Sequence, residues 1–137
     1  MKHFKLLSLI LVLCAATATG WAQRRTAKGA FEVKVGKERK VEGADLKIAF
    51  LEVTEDSRCP EGAMCIWAGN ARARMTVSTS KGECAEFALN TYLQPVEFQF
   101  GEYTIRLQRL RPAPSVHAEL KPSEYTAELV ITKVEKK

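Results

Sequence analysis

Apolar side chains recur at every second position along most of the chain. In the first such stretch Phe31, Val33 and Val35 alternate with Glu32 and Lys34. Because successive side chains of a β-strand point to opposite faces of a sheet, this pattern is typical of strands with one buried face. The same period returns in the stretches 46–53, 71–77, 85–89, 96–100, 103–107 and 125–131. No stretch has the spacing of an amphipathic helix, so the pattern predicts an all-β fold of about seven strands.

Short strands of this kind bury their apolar faces when two sheets stack or when one sheet closes on itself. We therefore expect an antiparallel β-sandwich with Greek-key-like connections, and a small β-barrel is the alternative. Residues 78–82 (STSKG) and the pair Gly101 and Glu102 suit tight hairpin turns. Leu51 and Val53 shift the apolar face of their strand by one position, which predicts a β-bulge there.

The segment between Leu110 and Tyr125 holds three of the five prolines of the chain. Proline has no backbone N–H and interrupts the hydrogen bonding of a sheet, so we expect this segment to be a long loop. A long connection ahead of the last strand fits a Greek-key crossover from one sheet to the other.

The first 22 residues have the three parts of a secretory signal peptide. Lys2 and Lys5 give a basic start, residues 6–13 are apolar, and small residues precede a cleavage site after Ala22. The apolar run is shorter than the roughly 20 residues that cross a bilayer, so we expect no transmembrane segment after signal removal. The expected organisation is a signal peptide at 1–22, a flexible linker at 23–29 and one β-sandwich domain at 30–137.

Cys14 offers an alternative end for the leader. A cysteine after an apolar run can be the lipid-attachment site of a bacterial envelope protein, with cleavage just before it. The residue ahead of such a cysteine is usually small, whereas Leu13 is bulky. We therefore expect export to the periplasm or the extracellular space, with lipid anchoring through Cys14 as the minor alternative.

The mature chain is weakly basic. Removing Lys2 and Lys5 reduces the 21 Lys and Arg residues to 19, against 16 Asp and Glu residues, which leaves a net charge of +3. Nucleic-acid-binding domains carry a stronger positive charge, gathered on one face. The charge balance and the expected export both argue against a nucleic-acid partner.

Residues 55–69 read EDSRCPEGAMCIWAG and are more specialised than a generic turn. Asp56 and Ser57 are suited to hydrogen bonds with nearby backbone groups, and Gly62 is suited to a tight turn. Cys59 and Cys65 lie six positions apart in this compact loop. In an oxidising compartment that arrangement favours a local disulfide, which fixes the shape of the loop.

A zinc site is the other interpretation of Cys59 and Cys65. There is no second ligand pair, and the spacing is wrong for the usual zinc knuckle, so we expect no metal. For Trp67, one expectation is a ring packed over the edge of the core beside the bridge. The alternative is an exposed stacking platform for a sugar or a peptide. Asp56, Arg58 and Trp67 are the residues of the candidate binding loop.

The motif resembles one found in a group of small exported bacterial β proteins, DSRCP-x(4)-C-x-W-A-G. Its residues in this chain are Asp56, Ser57, Arg58, Cys59, Pro60, Cys65, Trp67, Ala68 and Gly69. The similarity extends to a strand with a glycine near Gly36 and to a proline-containing segment followed by Tyr125. The resemblance implies an exported β domain with a disulfide, and it implies no activity. Cys84 departs from the usual two-cysteine pattern of the group, which leaves the cysteine pairing open.

Few residues could support catalysis. Outside the leader the only histidine is His117, which could form a nucleophile–base dyad with Cys84. An unpaired cysteine beside an apolar strand is more often a packing residue. The sequence contains no serine elbow, phosphate-binding glycine loop or histidine-rich metal motif, so we expect a non-enzyme without a cofactor.

Arg72 and Arg74 project from the strand face opposite Ala73 and Met75, and Arg106 lies near another strand. If those strands are neighbours, the three arginines form a basic patch that suits an acidic polysaccharide, lipid head groups or an acidic envelope protein. The preferred interpretation is a solvated face on which nearby glutamates balance the arginines.

The sequence predicts an exported, non-catalytic β domain that serves as a binding or structural module of the cell envelope. One alternative is an inhibitor that presents the disulfide-braced loop at 55–69 to a secreted protease, since a preorganised loop loses little entropy on binding. A second alternative is a lipid-anchored envelope protein.

Overall fold

The computed structural model describes residues 30–134. The predicted signal peptide at 1–22, the linker at 23–29 and the lipidation candidate Cys14 lie outside the described residues. Within them the chain forms eight strands: β1 (Phe31–Lys34), β2 (Lys37–Lys40), β3 (Lys47–Asp56), β4 (Ala71–Ser78), β5 (Cys84–Asn90), β6 (Glu97–Phe100), β7 (Tyr103–Arg111) and β8 (Thr126–Lys133). A single 3₁₀ turn, Pro122–Glu124, precedes β8.

The strands form two antiparallel four-stranded sheets, which confirms the predicted β-sandwich. The first sheet has the order β1-β8-β7-β6, and the second has the order β2-β3-β4-β5. The sheets are not joined into a closed barrel. On one open side Phe87 of β5 stacks on Phe98 of β6 at a centroid distance of 4.5 Å. On the other side the Arg39 guanidinium of β2 lies 5.4 Å from the ring centroid of Phe31 in β1.

The core lies between the sheets and consists of the residues that the two-residue period predicts. Ile48, Phe50 and Met75 of the second sheet are fully buried, and so are Ile105 and Leu129 of the first. Burying such side chains stabilises the fold by about 1.5–3 kcal/mol each, which makes the alternation the main determinant of the architecture.

Strand β2 was not predicted, because its sequence KERK has no apolar face. All four residues are exposed, and the strand forms through backbone pairing with β3, where Lys37 lies opposite Phe50. It is an edge strand, and charged side chains on an edge discourage pairing with other chains.

The predicted bulge and both hairpins are confirmed. The β3–β4 register shifts between Phe50 and Glu52, where the apolar face of β3 changes side. The hairpin between β4 and β5 turns at residues 79–83, and that between β6 and β7 turns at Gly101 and Glu102. Two further register shifts, between Val53 and Glu55 in β3 and between Leu107 and Arg109 in β7, were not predicted from the sequence pattern.

The expectation that the proline-rich loop crosses between the sheets is wrong. Strands β7 and β8, which this loop connects, are antiparallel neighbours in one sheet, with Arg111 opposite Thr126. The chain changes sheets at two shorter connections, the turn between β1 and β2 and residues 91–96. The long loop folds back over the loop between β3 and β4 instead, through the backbone bridge between Glu61 and Ser115.

Three loops lie together at one end of the sandwich, and we call this set the loop end. They are residues 57–70, 91–96 and 112–125. The register brings them together, because Asp56 pairs with Ala71 and Arg111 pairs with Thr126 at the same end. Among the described residues, no helix has the length and hydropathy needed to cross a membrane.

Candidate functional site

Residues 57–70, which we call the bridged loop, connect β3 to β4 at the loop end. The predicted disulfide is present: Cys59 and Cys65 are bonded, with their Cα atoms 5.9 Å apart. Two backbone hydrogen bonds close the base of the loop, from Ser57 N to Asn70 O at 2.7 Å and from Cys59 N to Ala68 O at 2.9 Å. The loop is therefore tied both at its base and by a covalent bond.

Two glycines allow the bridged loop to turn this tightly. Gly62 has a φ of 89° and is the third residue of a turn in which Ala63 N donates to Pro60 O at 3.1 Å. Gly69 has a φ of 74°, and a Cβ at this position would lie 1.9 Å from Ser57 O. A side chain at position 69 would therefore prevent the closure of the base.

Asp56 and Arg58, two of the candidate binding residues, are mostly buried, with 11% and 14% of their side chains exposed. The Arg58 guanidinium donates to both carboxylate oxygens of Asp56. It also donates to Leu110 O at 2.6 Å and to Pro112 O at 2.9 Å. We call this arrangement the arginine clamp. It fastens the bridged loop to the end of β7 and uses four of the five N–H donors of the guanidinium, which leaves little of it to bind a partner.

Tyr125, the last residue of the loop at 112–125, completes the arginine clamp by donating its hydroxyl to Asp56 Oδ2 at 2.8 Å. Burial of the Tyr125 hydroxyl, together with its hydrogen bond to the negatively charged Asp56, raises the pKa of Tyr125 to about 12. Burial alone would raise the pKa of Asp56, but the hydrogen bonds from Arg58 and Tyr125 and the positive charge of Arg58 outweigh it and lower that pKa. Asp56 is therefore an ionised carboxylate that links the end of β3 to the bridged loop through Arg58 and to the loop at 112–125 through Tyr125.

Asn70 fastens the third loop. Its buried Oδ1 accepts hydrogen bonds from the backbone N–H groups of Tyr92 and Leu93, each at 3.2 Å. Its Nδ2 donates to Asn90 Oδ1 at 2.9 Å, and Asn90 in turn donates to Gln94 O at 3.1 Å. The loop at 91–96 is thus held against the bridged loop by one buried amide pair.

The surface of the loop end carries most of the large exposed hydrophobic side chains of the described residues. Among the described residues, eight large hydrophobic side chains are exposed, and six of them belong to this end. Met64 and Ile66 are completely exposed, at 103% and 104% of the reference area, and Trp67 is 52% exposed. The other three are Tyr92, Leu93 and Val116. Trp67 therefore has the exposure of a contact residue and does not lie beneath other parts of the chain.

Sequence reasoning missed most of this surface. Met64 and Ile66 were in the selected motif but were not named, because an apolar residue in a loop can be buried or exposed. Tyr92 and Leu93 lie just after β5, and their backbone is held by hydrogen bonds to Asn70, which lies more than 20 positions earlier in the chain. The only available signal was the run AMCIW between two turn-forming segments.

The candidate basic patch is not assembled. Arg72 and Arg74 belong to β4 of the second sheet, whereas Arg106 belongs to β7 of the first. Their neighbours in each strand point into the core, so the arginines lie on opposite outer faces of the sandwich. Arg74 is held between Glu52 at 2.6 Å and Glu86 at 2.9 Å. This pairing matches the interpretation of a solvated face balanced by glutamates.

Cys84 and His117 do not meet. Cys84 begins β5 opposite Ser78, at the end of the sandwich remote from the loop end, and it is exposed. His117 lies beside Gly62 in the loop end. The two side chains are separated by the length of the sheet, so they cannot act as a nucleophile and its base. Within residues 30–134 no cluster of His, Cys, Asp or Glu side chains has the composition of a metal site.

Comparisons of the chain with models of protein families, with curated proteins and with solved structures find no match.

Proposed function

We propose that this protein is an exported, non-catalytic binding domain that recognises another protein through its loop end. The observation that supports the proposal most strongly is the gathering of six exposed hydrophobic side chains on the three loops of that end. Many large exposed hydrophobic side chains gathered in one region are uncommon on soluble domains and mark interaction sites. Aromatic residues and methionine are also enriched in protein interfaces and in their energetic centres.

The loop end is organised before any partner arrives. The disulfide and the arginine clamp fix the bridged loop, and the amide of Asn70 fixes residues 91–96. A surface that is already ordered loses less conformational entropy on binding, so more of the contact energy contributes to affinity. Rigid support beneath exposed apolar residues therefore favours recognition over a purely structural role.

The chemistry of the surface favours a protein over a polysaccharide or a lipid head group. Met64 and Ile66 stand at its most exposed point and cannot form the hydrogen bonds with which sugars are recognised. The exposed charges on the three loops are Glu61, Glu119 and Glu124 against Lys121, and such a balance does not attract anionic lipids. These apolar side chains are best buried in an apolar pocket of another protein.

Export is part of the proposal and is supported by the disulfide. Disulfides persist in oxidising compartments and are rare in the reducing cytosol. The bond between Cys59 and Cys65, together with the secretory pattern of residues 1–22, supports a partner in the periplasm or outside the cell.

Site-specific photo-cross-linking in cells that export the full chain tests this function. A benzophenone amino acid at position 66 is expected to yield a discrete adduct with one protein, because Ile66 is fully exposed on the loop end. The same amino acid at position 134 is the matched control, since Val134 is an exposed apolar residue at the other end of the sandwich. Equal adducts from both positions, or adducts with lipid or polysaccharide alone, would contradict the proposal.

A further inference from the structure

We infer that residues 63–67 of the bridged loop, which we call the tip, occupy the substrate cleft of a serine endopeptidase and inhibit it, with Met64 filling its apolar primary pocket. This inference rests on the proposed function, because it assigns a class of partner to the same surface. Three features of the tip carry it: the exposure of its side chains, the unpaired backbone and the position of the disulfide.

The exposure of the tip is that of a substrate segment. Met64 and Ile66 flank Cys65, and both side chains are fully free of the protein. Cys65 is anchored through its bridge to Cys59 and so holds the intervening backbone in place. A protease reads a segment by inserting such side chains into pockets, and an unbranched side chain such as that of Met64 fits a deep apolar pocket.

The backbone of the tip is available for pairing. Among the described residues, positions 64–67 form no backbone–backbone hydrogen bond, whereas Ala63 and Ala68 on either side are bonded to Pro60 and Cys59. A peptide that binds in extended form gains affinity from hydrogen bonds between its backbone and the edge of its receptor. The tip presents its free donors and acceptors beside its most exposed side chains.

The position of the disulfide favours inhibition over digestion. A serine endopeptidase would add its hydroxyl oxygen to the carbonyl carbon of Met64, break the bond to the Cys65 nitrogen and transfer the hydroxyl proton to that nitrogen. The new amine stays covalently linked to the acyl half, because Cys65 is bonded to Cys59 on the other side of the cut. The amine therefore remains at high effective concentration, and re-formation of the peptide bond competes with hydrolysis.

Backbone hydrogen bonds to the loop at 112–125 hold the bridged loop in place next to the tip. Glu61 N donates to Pro114 O at 2.8 Å, and Val116 N donates to Glu61 O at 3.1 Å. With the arginine clamp, these bonds tie the half of the bridged loop before Met64 to the scaffold, and the disulfide and the hydrogen bond from Cys59 N to Ala68 O hold the half after it. A cut at the tip would leave its two ends close together, as the re-formation of the bond requires.

The test measures inhibition by the full chain of chymotrypsin-like, elastase-like and subtilisin-like endopeptidases acting on chromogenic peptides. Inhibition of at least one enzyme is expected, and Met64→Asp should raise the inhibition constant roughly 100-fold or more, as loss of a central contact residue does. Met64→Leu should retain inhibition. Val134→Asp, which changes an exposed apolar residue at the other end, should have no effect.

A second variant tests the role of the bridge. With Cys59→Ser and Cys65→Ser combined, the same enzyme should cut the chain after Met64 and release it, which mass spectrometry detects as a lasting cleavage product. The inference is overturned if no enzyme of the three classes is inhibited or if Met64→Asp inhibits as well as the unaltered protein. If inhibition fails while position 66 still cross-links to one protein, the inference falls and the proposed function stands.

Discussion

Arg58 holds Asp56 through two parallel hydrogen bonds, from Nε to Oδ1 at 2.8 Å and from Nη2 to Oδ2 at 2.6 Å. The pair is local, but the remaining donors of the guanidinium reach carbonyl groups more than 50 positions along the chain, at Leu110 and Pro112. Planar arginine is suited to this task because its donors form a rigid fork. The stability of the loop end therefore depends on two residues whose sequence motif suggested a surface role.

Asp56→Ala should lower the free energy of unfolding by about 3 kcal/mol, because it leaves the mostly buried charge of Arg58 without its partner. Urea denaturation followed by tryptophan fluorescence measures the change. Glu119→Ala, in the exposed part of the same end, is the matched control and should change stability by less than about 0.5 kcal/mol. Equal stabilities of the two variants would show that the clamp contributes nothing.

Tyr125 should give the fold a distinct alkaline dependence. Its folded pKa of about 12 lies above the ordinary value of 10.0, so the protonated hydroxyl is favoured in the folded state. The stability that it contributes is complete below pH 10.0 and is lost as the pH rises towards 12. Absorbance titration at the tyrosinate band should show one of the three tyrosines ionising last, and Tyr125→Phe should remove that step. A variant with an unchanged titration would contradict this assignment.

Gly69→Ala should prevent the base of the bridged loop from closing. The added Cβ would meet Ser57 O at 1.9 Å, in addition to the strain of a φ of 74°. Gly82→Ala separates the two effects, because Gly82 also has a positive φ, of 87°, but open space around its Cβ position. The control should lose about 1–2 kcal/mol from strain alone, and Gly69→Ala should lose clearly more in thermal or urea unfolding. Equal losses would mean that the contact with Ser57 is unimportant.

Replacing both Cys59 and Cys65 with serine should lower stability by only about 2 kcal/mol, because the closed loop is short. The core between the sheets is untouched, so the fold should persist, with an unchanged far-ultraviolet circular dichroism spectrum. Cys84→Ser is the matched control, since that thiol is exposed and unbridged. Loss of the β spectrum in the double variant would show that the bridge is needed for folding and not only for the shape of the loop.

Asn70→Ala should loosen residues 91–96 selectively. The substitution removes the acceptor for the N–H groups of Tyr92 and Leu93 and leaves Asn90 without its partner, at a cost of about 1–3 kcal/mol. Hydrogen exchange should accelerate in this loop. Ser80→Ala, which breaks a hydrogen-bonded contact with Asp45 at the opposite end, should leave exchange at 91–96 unchanged. Unchanged exchange in Asn70→Ala would contradict the proposed coupling.

Several elements of the fold could be predicted because their causes are local. The alternation in residues such as Ile48 and Phe50 marks the buried face wherever the strand lies, and a one-position shift of that face marks a bulge. Cys59 and Cys65 lie six positions apart, and the turn residues between them bring the two thiols close enough to bond. In each case the information lies within one strand or turn.

Other elements could not be predicted because their partners are distant. Strand β2 has no apolar residue, and it forms through its backbone pairing with β3. The proline-rich loop gave no sign that it would fold back on Glu61 rather than cross between the sheets. Arg72 and Arg106 belong to strands whose placement in different sheets depends on the whole topology.

The strand period, the hairpins and the bridge follow from the sequence alone, since side-chain alternation, turn chemistry and short loops act over a few residues. Which motif residues face inwards and which face solvent depends on how distant parts of the chain pack around them. Asp56 and Arg58 are mostly buried because β7 and the loop that follows it pack beside them and accept hydrogen bonds from Arg58. Met64 and Ile66 became the exposed tip because no other part of the described chain covers them. Burial is set by the elements that pack around a residue, and these come from remote positions in the sequence.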